Sequence, residues 1–172
     1  MIIRTKRFIL RPYRKGDEES LQKNINDKEV YKYTLRIPYP YKLKDAKWWI
    51  NYNFRLEKKK NPNEINFAVV INGKVVGGIG LMNKESNHKA EIGYWIGRKY
   101  WNKGIMTEAI RLMTDFGFRK MKLKRIYALV FQKNKASVHI LEKNNYKLEG
   151  LMKKYHQKNG KFIDALLYAK IK

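Results

Sequence analysis

A β-hairpin is the strongest structural signal in this chain. Two runs rich in β-branched residues, residues 65–71 (INFAVVI) and residues 74–82 (KVVGGIGLM), are separated only by Asn72-Gly73. Asn-Gly supplies the two positive φ angles of a type I′ turn, which joins antiparallel strands directly. Three glycines weaken the second run as a strand but permit a bend or a close backbone approach, and they are Gly77, Gly78 and Gly80. The chain must therefore build a sheet around this antiparallel pair.

A strand, a short basic turn and a helix follow the hairpin, within residues 90–118 (AEIGYWIGRKYWNKGIMTEAIRLMTDFGF). Gly93 predicts a β-bulge that separates this strand from its neighbour. The buried face of the helix is predicted to consist of Ile105, Ala109, Leu112, Met113 and Phe116. Gly117 is predicted to end the helix. The apolar run at residues 125–131 then predicts a central strand parallel to the first.

Shorter elements complete the predicted fold. A strand lies within residues 5–13, Asp17 caps a short helix, and a second helix begins at Asp45. The buried face of that second helix is predicted to consist of Ala46, Trp49, Ile50 and Phe54, with Trp48 and Tyr52 on its flank. These aromatic residues suit either core packing or the wall of an acceptor site. A helix at residues 135–143, Asn145 in the left-handed conformation and a second hairpin at Asn159-Gly160 follow.

The predicted fold class is mixed α/β. We expect one domain over residues 1–172, with a central twisted sheet of about seven strands and about four helices. The N-terminal part of the sheet is antiparallel, and a parallel crossover lies in its middle.

The turn around Gly104 has the features of an anion-binding site. A helix that starts after a tight turn leaves backbone N–H groups unpaired, and the helix dipole adds about half a positive charge there. Gly104 lets a ligand approach the backbone, and Arg98, Lys99 and Lys103 add mobile positive charge. Every strand-turn-helix unit has such a turn, so the turn alone leaves phosphate binding and a purely structural role open.

Charge and composition limit the classes of function. The chain has 39 Lys and Arg against 15 Asp and Glu, a formal charge of +24, which fits either proximity to RNA or the ribosome, or a biased genome. With no Cys and three His, we expect no disulfide, no cysteine nucleophile and no metal site. No apolar run is long enough to span a membrane, and the N-terminus lacks the apolar core of a signal peptide. We therefore expect a cytoplasmic protein.

The order of the elements and their residues resemble the GCN5-related N-acetyltransferase (GNAT) family, and within it the RimJ/RimL-like ribosomal-protein acetyltransferases. The resemblance covers nearly the whole chain and rests on TKRFILRPYRKGD, PYPYKLKDAKWWI, AEIGYWIGRKYWNKGIMTEA, NKASVHILEKNNYKLEG and NGKFIDALLYA. It implies the GNAT fold and direct transfer of an acetyl group from acetyl-CoA to a primary amine in a ternary complex. The implied acceptor is the α-amine of a protein N-terminus. The enzyme itself is expected to be a monomer or a homodimer.

The resemblance also implies which residues bind acetyl-CoA. The family signature Q/R-x-x-G-x-G/A, whose backbone amides hold the pyrophosphate, aligns on Gly104. Trp101 replaces its Q/R, as in the RimJ/RimL-like branch, and Met106 replaces its last small residue, which is expected to narrow the turn. The implied cofactor-binding residues are Tyr94, Trp95, Ile96, Asn102, Lys103, Gly104, Ile105, Met106, Thr107, Asn134 and Lys143.

The chemistry requires a base, because an amine must lose its proton before it attacks a thioester. Glu91, on the strand expected to line the cleft, is the first candidate, and Glu64, at the start of the hairpin, is the second. A backbone donor between Gly93 and Ile96 is expected to stabilise the charge on the carbonyl oxygen.

Ser137 is the candidate acid for the leaving thiolate. Many family members use a Tyr on the penultimate helix, but Leu141 stands at that position here. RimJ/RimL-like enzymes carry a Ser three residues after the motif Asn, and Ser137 has that relation to Asn134. The simpler role for Ser137 is a hydrogen bond to the helix backbone. The three histidines, His88, His139 and His156, are expected to be solvated.

Two alternatives to catalysis remain. Met106 and Leu141 indicate a CoA-binding protein without turnover, and the charge of +24 indicates a ribosome- or nucleic-acid-associated protein. The charge also disfavours polyamine and aminoglycoside acceptors unless acidic residues are concentrated in the cleft, for which Glu29, Glu64 and Glu91 are candidates.

Overall fold

The computed structural model describes residues 2–172. Its α-helices are α1 (Glu18–Ile25), α2 (Lys28–Lys32), α3 (Leu43–Glu57), α4 (Ile105–Arg119) and α5 (Lys135–Lys143). Its strands are β1 (Ile3–Arg4), β2 (Ile9–Arg11), β3 (Ile65–Ile71), β4 (Lys74–Met82), β5 (Lys89–Ile96), β6 (Arg125–Phe131), β7 (Lys147–Lys158) and β8 (Lys161–Ile171). Across residues 2–172, no helix has the length and apolarity needed to cross a membrane.

One sheet contains all eight strands in the order β1-β2-β3-β4-β5-β6-β8-β7. The β5–β6 pair is parallel, and every other neighbouring pair is antiparallel. The mixed α/β prediction is confirmed. The additional strand and helix are short, since β1 has two residues and α2 has five. The last strand, β8, lies between β6 and β7.

The two Asn-Gly hairpins form as predicted. The φ angles are 48° at Asn72 and 75° at Gly73, and 50° at Asn159 and 74° at Gly160. Both residues of each turn are thus left-handed, as a type I′ turn requires.

Strand β3 shows why helices cover both faces of the sheet. Phe67 and Val69 point into a core beneath α4, whereas Ala68 and Val70 point into a second core beneath α1 and α3. Alternation with a period of two therefore places apolar side chains on both faces. The two cores hold the sheet between the α4 layer and the α1–α3 layer.

The sequence prediction for α4 is wrong in two respects. Gly117 does not end the helix, which continues to Arg119; it lies against the sheet, where an added Cβ would lie 2.7 Å from Ile126 Cδ1. The buried face is also rotated, because Leu112 and Phe116 are only partly buried. The fully packed positions are Ile105, Met106, Ala109, Ile110 and Met113.

One helix cap and one helix start differ from the prediction. Asp17 precedes α1, but its side chain caps nothing, because it forms a buried ion pair with Arg11 at 2.7 Å. Helix α3 starts at Leu43 rather than Asp45, and the Asp45 carboxylate accepts a hydrogen bond from the Lys42 N–H at 2.7 Å. Asp45, the third residue of α3 and part of its first turn, therefore serves as the side-chain partner in a capping box.

Gly77→Ala is expected to lower the free energy of unfolding by about 1–3 kcal/mol. Gly77 faces Ile96 across the β4–β5 pair, and an added Cβ would lie 2.7 Å from the backbone oxygen of Trp95. Strand β5 would have to shift, because the backbone oxygen of Trp95 cannot rotate away as a side chain could. Thermal unfolding followed by circular dichroism measures the loss. Gly150→Ala, also in a strand but with open space around the new Cβ, is the control; equal losses in both variants would contradict this explanation.

Candidate active site

The sheet opens between β5 and β6. These strands pair only from Lys89 to Glu91, opposite residues 125–127, and then separate. The β4–β5 register, in contrast, is uninterrupted from Gly77 opposite Ile96 to Met82 opposite Glu91. The predicted bulge at Gly93 is therefore wrong. Gly93 instead makes room for Met82, whose Cε would lie 2.5 Å from an added Cβ.

Beyond Glu91, one edge of β5 is available to a ligand. The Gly97 N–H donates to the Val76 carbonyl on β4 at 2.8 Å. Because the backbone groups of an antiparallel strand alternate in direction, the N–H and C=O of Tyr94 point away from β4 and into the gap. The Ile96 carbonyl on the same edge accepts a bond from Trp101 Nε1 at 2.9 Å, which ties the following turn to the strand.

A cradle of backbone N–H groups lies at the start of α4. Gly104 has a φ of 68° and precedes the first helical residue, and Asn102 has a φ of 57°. Among the described residues, no protein acceptor pairs with the N–H groups of residues 102–107. The side chain of Met106 is only 4% exposed and packs in the core, so it does not narrow the turn as predicted. The cradle therefore offers its backbone donors and the helix dipole to an anion.

Arg7, near the N-terminus of the chain, holds this cradle in place. Its guanidinium donates to the Lys103 carbonyl at 2.8 Å and to Glu108 Oε2 at 2.6 Å. Glu108 would otherwise place an uncompensated carboxylate in the first turn, where it would repel an anion. The sequence analysis missed Arg7, because the contact joins residues about a hundred positions apart.

A pair of hydroxyl groups spans the gap. The Tyr94 hydroxyl lies 2.6 Å from Ser137 Oγ, and the Asn134 side chain caps α5 by accepting from the Ser137 N–H at 3.2 Å. Burial raises the pKa of Tyr94 above its ordinary value, so the phenol stays protonated near neutral pH. Either hydroxyl can donate in this pair, and with the phenol as donor the Ser137 proton is free to point into the cleft.

Glu91 sits where the strands separate. Asn83 Nδ2 donates to its Oε2 at 2.9 Å. Burial raises the pKa of Glu91, although the Asn83 bond and the nearby Arg36 lower it in part. A carboxylate with a raised pKa is a stronger base at neutral pH than an exposed one. Glu64, the second candidate, accepts from Asn66 Nδ2 at 3.1 Å and lines the same cleft.

The cleft has about 830 Å³ and a charge opposite to that of the whole protein. Three carboxylates line it, those of Asp45, Glu64 and Glu91, whereas Arg36 is the one Lys or Arg among its described lining residues. Glu29 lies elsewhere, in the first turn of α2. Acidic residues are thus concentrated in the cleft, where they offset the overall charge of +24. Glu29, which was predicted to be one of them, is not part of this lining.

Aromatic side chains of α3 form one wall of the cleft. Trp48 and Tyr52 stack at 5.2 Å between ring centroids, and both line the cleft. Trp48 is 58% exposed, while Ala46 and Ile50 of the same helix are buried, so α3 serves both the core and the wall. His156 also lines the cleft and packs on Phe131 at 5.5 Å, contrary to the prediction that it is solvated. Burial lowers the pKa of His156, and Arg36 lowers it further.

Comparison with protein families decides the identity of this fold and site. The family described as "Acetyltransferase (GNAT) domain" matches residues 7–147. The chain belongs to the GNAT family. It is therefore an N-acetyltransferase, as the resemblance predicted.

Individual relatives agree with this assignment. "Uncharacterized N-acetyltransferase p20" of Bacillus licheniformis is 31% identical over 169 residues, which are 98% of this chain and 94% of that protein. The L-amino acid N-acetyltransferase AaaT of Escherichia coli is 26% identical over 96% of this chain and 98% of its own length. RimL, a ribosomal L7/L12 alpha-N-protein acetyltransferase solved with coenzyme A, superimposes with a TM-score of 0.89 at 22% identity, covering 99% of this chain and 98% of RimL. That last likeness shows the fold alone.

The GNAT fold brings most of the predicted site residues to two neighbouring places. Glu91, Tyr94, Trp95, Asn134 and Ser137 line the cleft. The turn is formed by Asn102, Lys103, Gly104, Ile105, Met106 and Thr107, with Ile96 at the end of β5 before it. Lys143 is exposed at the end of α5. Leu141, where a Tyr acid would stand, is fully buried.

Arg7→Met is expected to raise the Kd for CoA about threefold to tenfold, because it releases the cradle and leaves Glu108 uncompensated. The range is modest because the Arg7 side chain is half-exposed. Isothermal titration calorimetry with CoA measures the change. Arg14→Met removes the same charge from an exposed residue outside the cleft, and an equal loss of affinity there would assign the effect to net charge.

Proposed function

We propose that this GNAT enzyme transfers the acetyl group of acetyl-CoA to a primary amine by direct transfer in a ternary complex. The observation that carries the proposal is the free edge of β5 beyond Glu91, because the Glu91 carboxylate and the Tyr94–Ser137 hydroxyl pair line the same cleft. One gap thus contains a strand edge, a proton donor and a proton acceptor.

The residues present fit acetyl-CoA, which supplies the acetyl thioester when bound. The unpaired N–H groups of residues 102–107 suit its pyrophosphate. The free edge of β5 suits the amide groups of its pantetheine arm, as an unpaired strand edge suits any extended chain with amides. Asn134 stands beside this arm, at the start of α5.

Glu91 is the proposed base. It accepts a proton from the acceptor amine, directly or through a water, so that the nitrogen lone pair can attack the carbonyl carbon. The Tyr94 N–H, which faces the gap, is the proposed donor to the carbonyl oxygen as negative charge develops there.

Ser137 is the proposed acid. When the carbon–sulfur bond breaks, the sulfur takes the electron pair, and the Ser137 hydroxyl donates a proton to it. Ser137 Oγ takes the phenolic proton of Tyr94 in the same step, and solvent returns a proton to Tyr94 after the products leave. A Ser in this position supports placement in the RimJ/RimL-like branch of the family.

The charge of the cleft favours an acceptor amine without a carboxylate beside it. Three carboxylates against one guanidinium attract a cationic amine and repel the carboxylate of a free amino acid. The name of AaaT gives L-amino acids as its acceptors, and that of RimL gives a protein α-amine. Of these two, a peptide or protein N-terminus fits the acidic cleft better, and the aromatic wall offers contacts to its first side chains. Polyamines also fit the charge.

Two measurements test this function. Calorimetry at low salt is expected to show CoA binding, and free thiol is expected to appear when acetyl-CoA is mixed with N-terminal peptides. Amino acids and polyamines complete the acceptor panel. The absence of CoA binding would contradict the proposal outright, whereas binding without thiol release from any amine would favour a CoA-binding protein without turnover.

Glu64→Gln is expected to raise the KM for an N-terminal peptide about twofold to tenfold with little change in kcat, because the acidic lining attracts the amine. Initial rates of thiol release separate the two parameters. Glu57→Gln, exposed at the end of α3 and outside the cleft, is the charge-matched control. A large fall in kcat for Glu64→Gln would instead make Glu64 the base.

A further inference from the structure

A second groove of about 780 Å³ lies beside the cleft, between the α2 segment and the β7–β8 hairpin. Tyr33 and Phe131 line both cavities and separate them. The charge of this second groove is the reverse of that in the cleft. Five lysines and two acidic residues line it, and no arginine is present among its described lining residues.

The groove is held open by contacts between distant parts of the chain. Lys158 donates hydrogen bonds to the carbonyls of Tyr31 and Thr34, the latter at 2.6 Å, and its ammonium lies 3.6 Å from the centre of the Tyr31 ring. Asn159, at the tip of the hairpin, exchanges two hydrogen bonds with the Tyr31 hydroxyl. The hairpin and the α2 segment therefore form one preformed surface.

Aromatic rings and unpaired lysines border this surface. Phe162 is 62% exposed and Tyr39 is 39% exposed, and Tyr39 packs against Tyr31 at 5.5 Å. Both acidic residues are engaged, because Glu29 pairs with Lys32 at 3.7 Å and Asp164 accepts from the Lys154 N–H at 2.7 Å. Three lysines have no carboxylate within 4 Å among the described residues, and they are Lys28, Lys133 and Lys161.

We propose that this groove binds a short single-stranded segment of nucleic acid, with bases stacked on Phe162 and Tyr39 and phosphates near Lys28, Lys133 and Lys161. Exposed rings beside mobile cations are the elements of sequence-tolerant single-strand binding. An acidic peptide fits less well, because carboxylates are best matched by the fork of arginine, and every cation of this groove is a lysine. The activity is separate from acetyl transfer.

The test compares two triple variants with the same loss of charge. Fluorescence anisotropy measures binding of short labelled oligo(U) and oligo(dT) between about 50 and 200 mM salt. The groove variant is Lys28→Ala/Lys133→Ala/Lys161→Ala. The control is Lys59→Ala/Lys74→Ala/Lys120→Ala, three exposed lysines that line neither cavity.

The groove variant is expected to bind about tenfold more weakly, and its slope of log affinity against log salt is expected to fall by about 2. The control variant should retain the wild-type slope. Phe162→Ala is expected to lose about tenfold in affinity through lost stacking. A preference for oligo(U) or for oligo(dT) that disappears in the groove variant would support the groove as the binding site.

Equal losses in both triple variants would overturn the proposal in favour of a diffuse field from the charge of +24. The proposal would also be overturned, in favour of an acidic peptide, if poly-glutamate displaced the labelled oligonucleotides and its own binding were weakened equally by Phe162→Ala. The rise in Tm caused by acetyl-CoA should be unchanged in the groove variant, so that a failed catalytic proposal and a failed groove proposal give different results.

Discussion

Glu91→Gln is expected to lower kcat about 100-fold or more near neutral pH, because a positioned base contributes about 10²–10⁴-fold to such a rate. The KM for acetyl-CoA should change little, since Glu91 lies at the opening of the strands and not in the cradle. The rate of the wild-type enzyme should rise with pH as Glu91 loses its proton, and burial moves this step above the ordinary pKa of a Glu. The variant should lack that step.

Glu64→Gln is the matched control for Glu91→Gln, because it removes the same charge from the same cleft. We expect it to keep its kcat and its pH step. If Glu91→Gln retains kcat while Glu64→Gln loses it, the base assignment is reversed. If both keep kcat, neither carboxylate acts as the base.

Stability gives a second measure of the environment of Glu91. Its folded-state pKa is raised, so the folded protein binds this proton more tightly than the unfolded chain, and the charged form of Glu91 lowers stability at neutral pH. Glu91→Gln should therefore raise Tm at pH 7, and this gain should fade as the pH drops below the ordinary value of 4.5. A variant that is less stable than the wild type at pH 7 would show that Glu91 is not in a desolvated position.

Gly104→Glu is expected to weaken CoA binding about 100-fold or more. The left-handed φ of 68° strains any residue with a side chain, and the new carboxylate lies where unpaired N–H groups would receive a pyrophosphate. The measurement is the rise in Tm that CoA causes, together with calorimetry. Such a variant should also release no thiol with any amine.

Gly73→Glu controls for the backbone strain and for the added charge. Gly73 has a φ of 75°, an added Cβ meets nothing within 4 Å, and the residue lies in the β3–β4 turn away from the cradle. Both variants should lose similar stability, but Gly73→Glu should keep its response to CoA. Unchanged CoA binding in Gly104→Glu would contradict the cradle assignment.

The features that the sequence predicted correctly are encoded locally. The Asn-Gly turns at Asn72 and Asn159 form because both residues of each turn adopt positive φ, which few other pairs allow. Helix α5 spans the predicted residues 135–143, with Asn134 as its cap and Asn145 left-handed after it. A turn or a cap depends on a few neighbouring residues, so a pattern in the chain suffices to predict it.

The features that the sequence missed depend on distant contacts. Gly93 suggested a bulge, but the gap opens because β6 leaves β5, and nothing within β5 records that. Met106 appeared to narrow the cradle, yet its side chain turns into the core. Arg7 and His156 reach the site from opposite ends of the chain, and neither has a neighbouring motif that marks its role.

The acidic lining of the cleft also favours release of the acetylated product. An amine arrives as a cation and is attracted by Asp45, Glu64 and Glu91, but after acetylation it is a neutral amide on which these carboxylates exert almost no attraction. The product is therefore held less tightly than the substrate by the same side chains, without any movement of the protein. Inhibition by accumulated product should accordingly be weak.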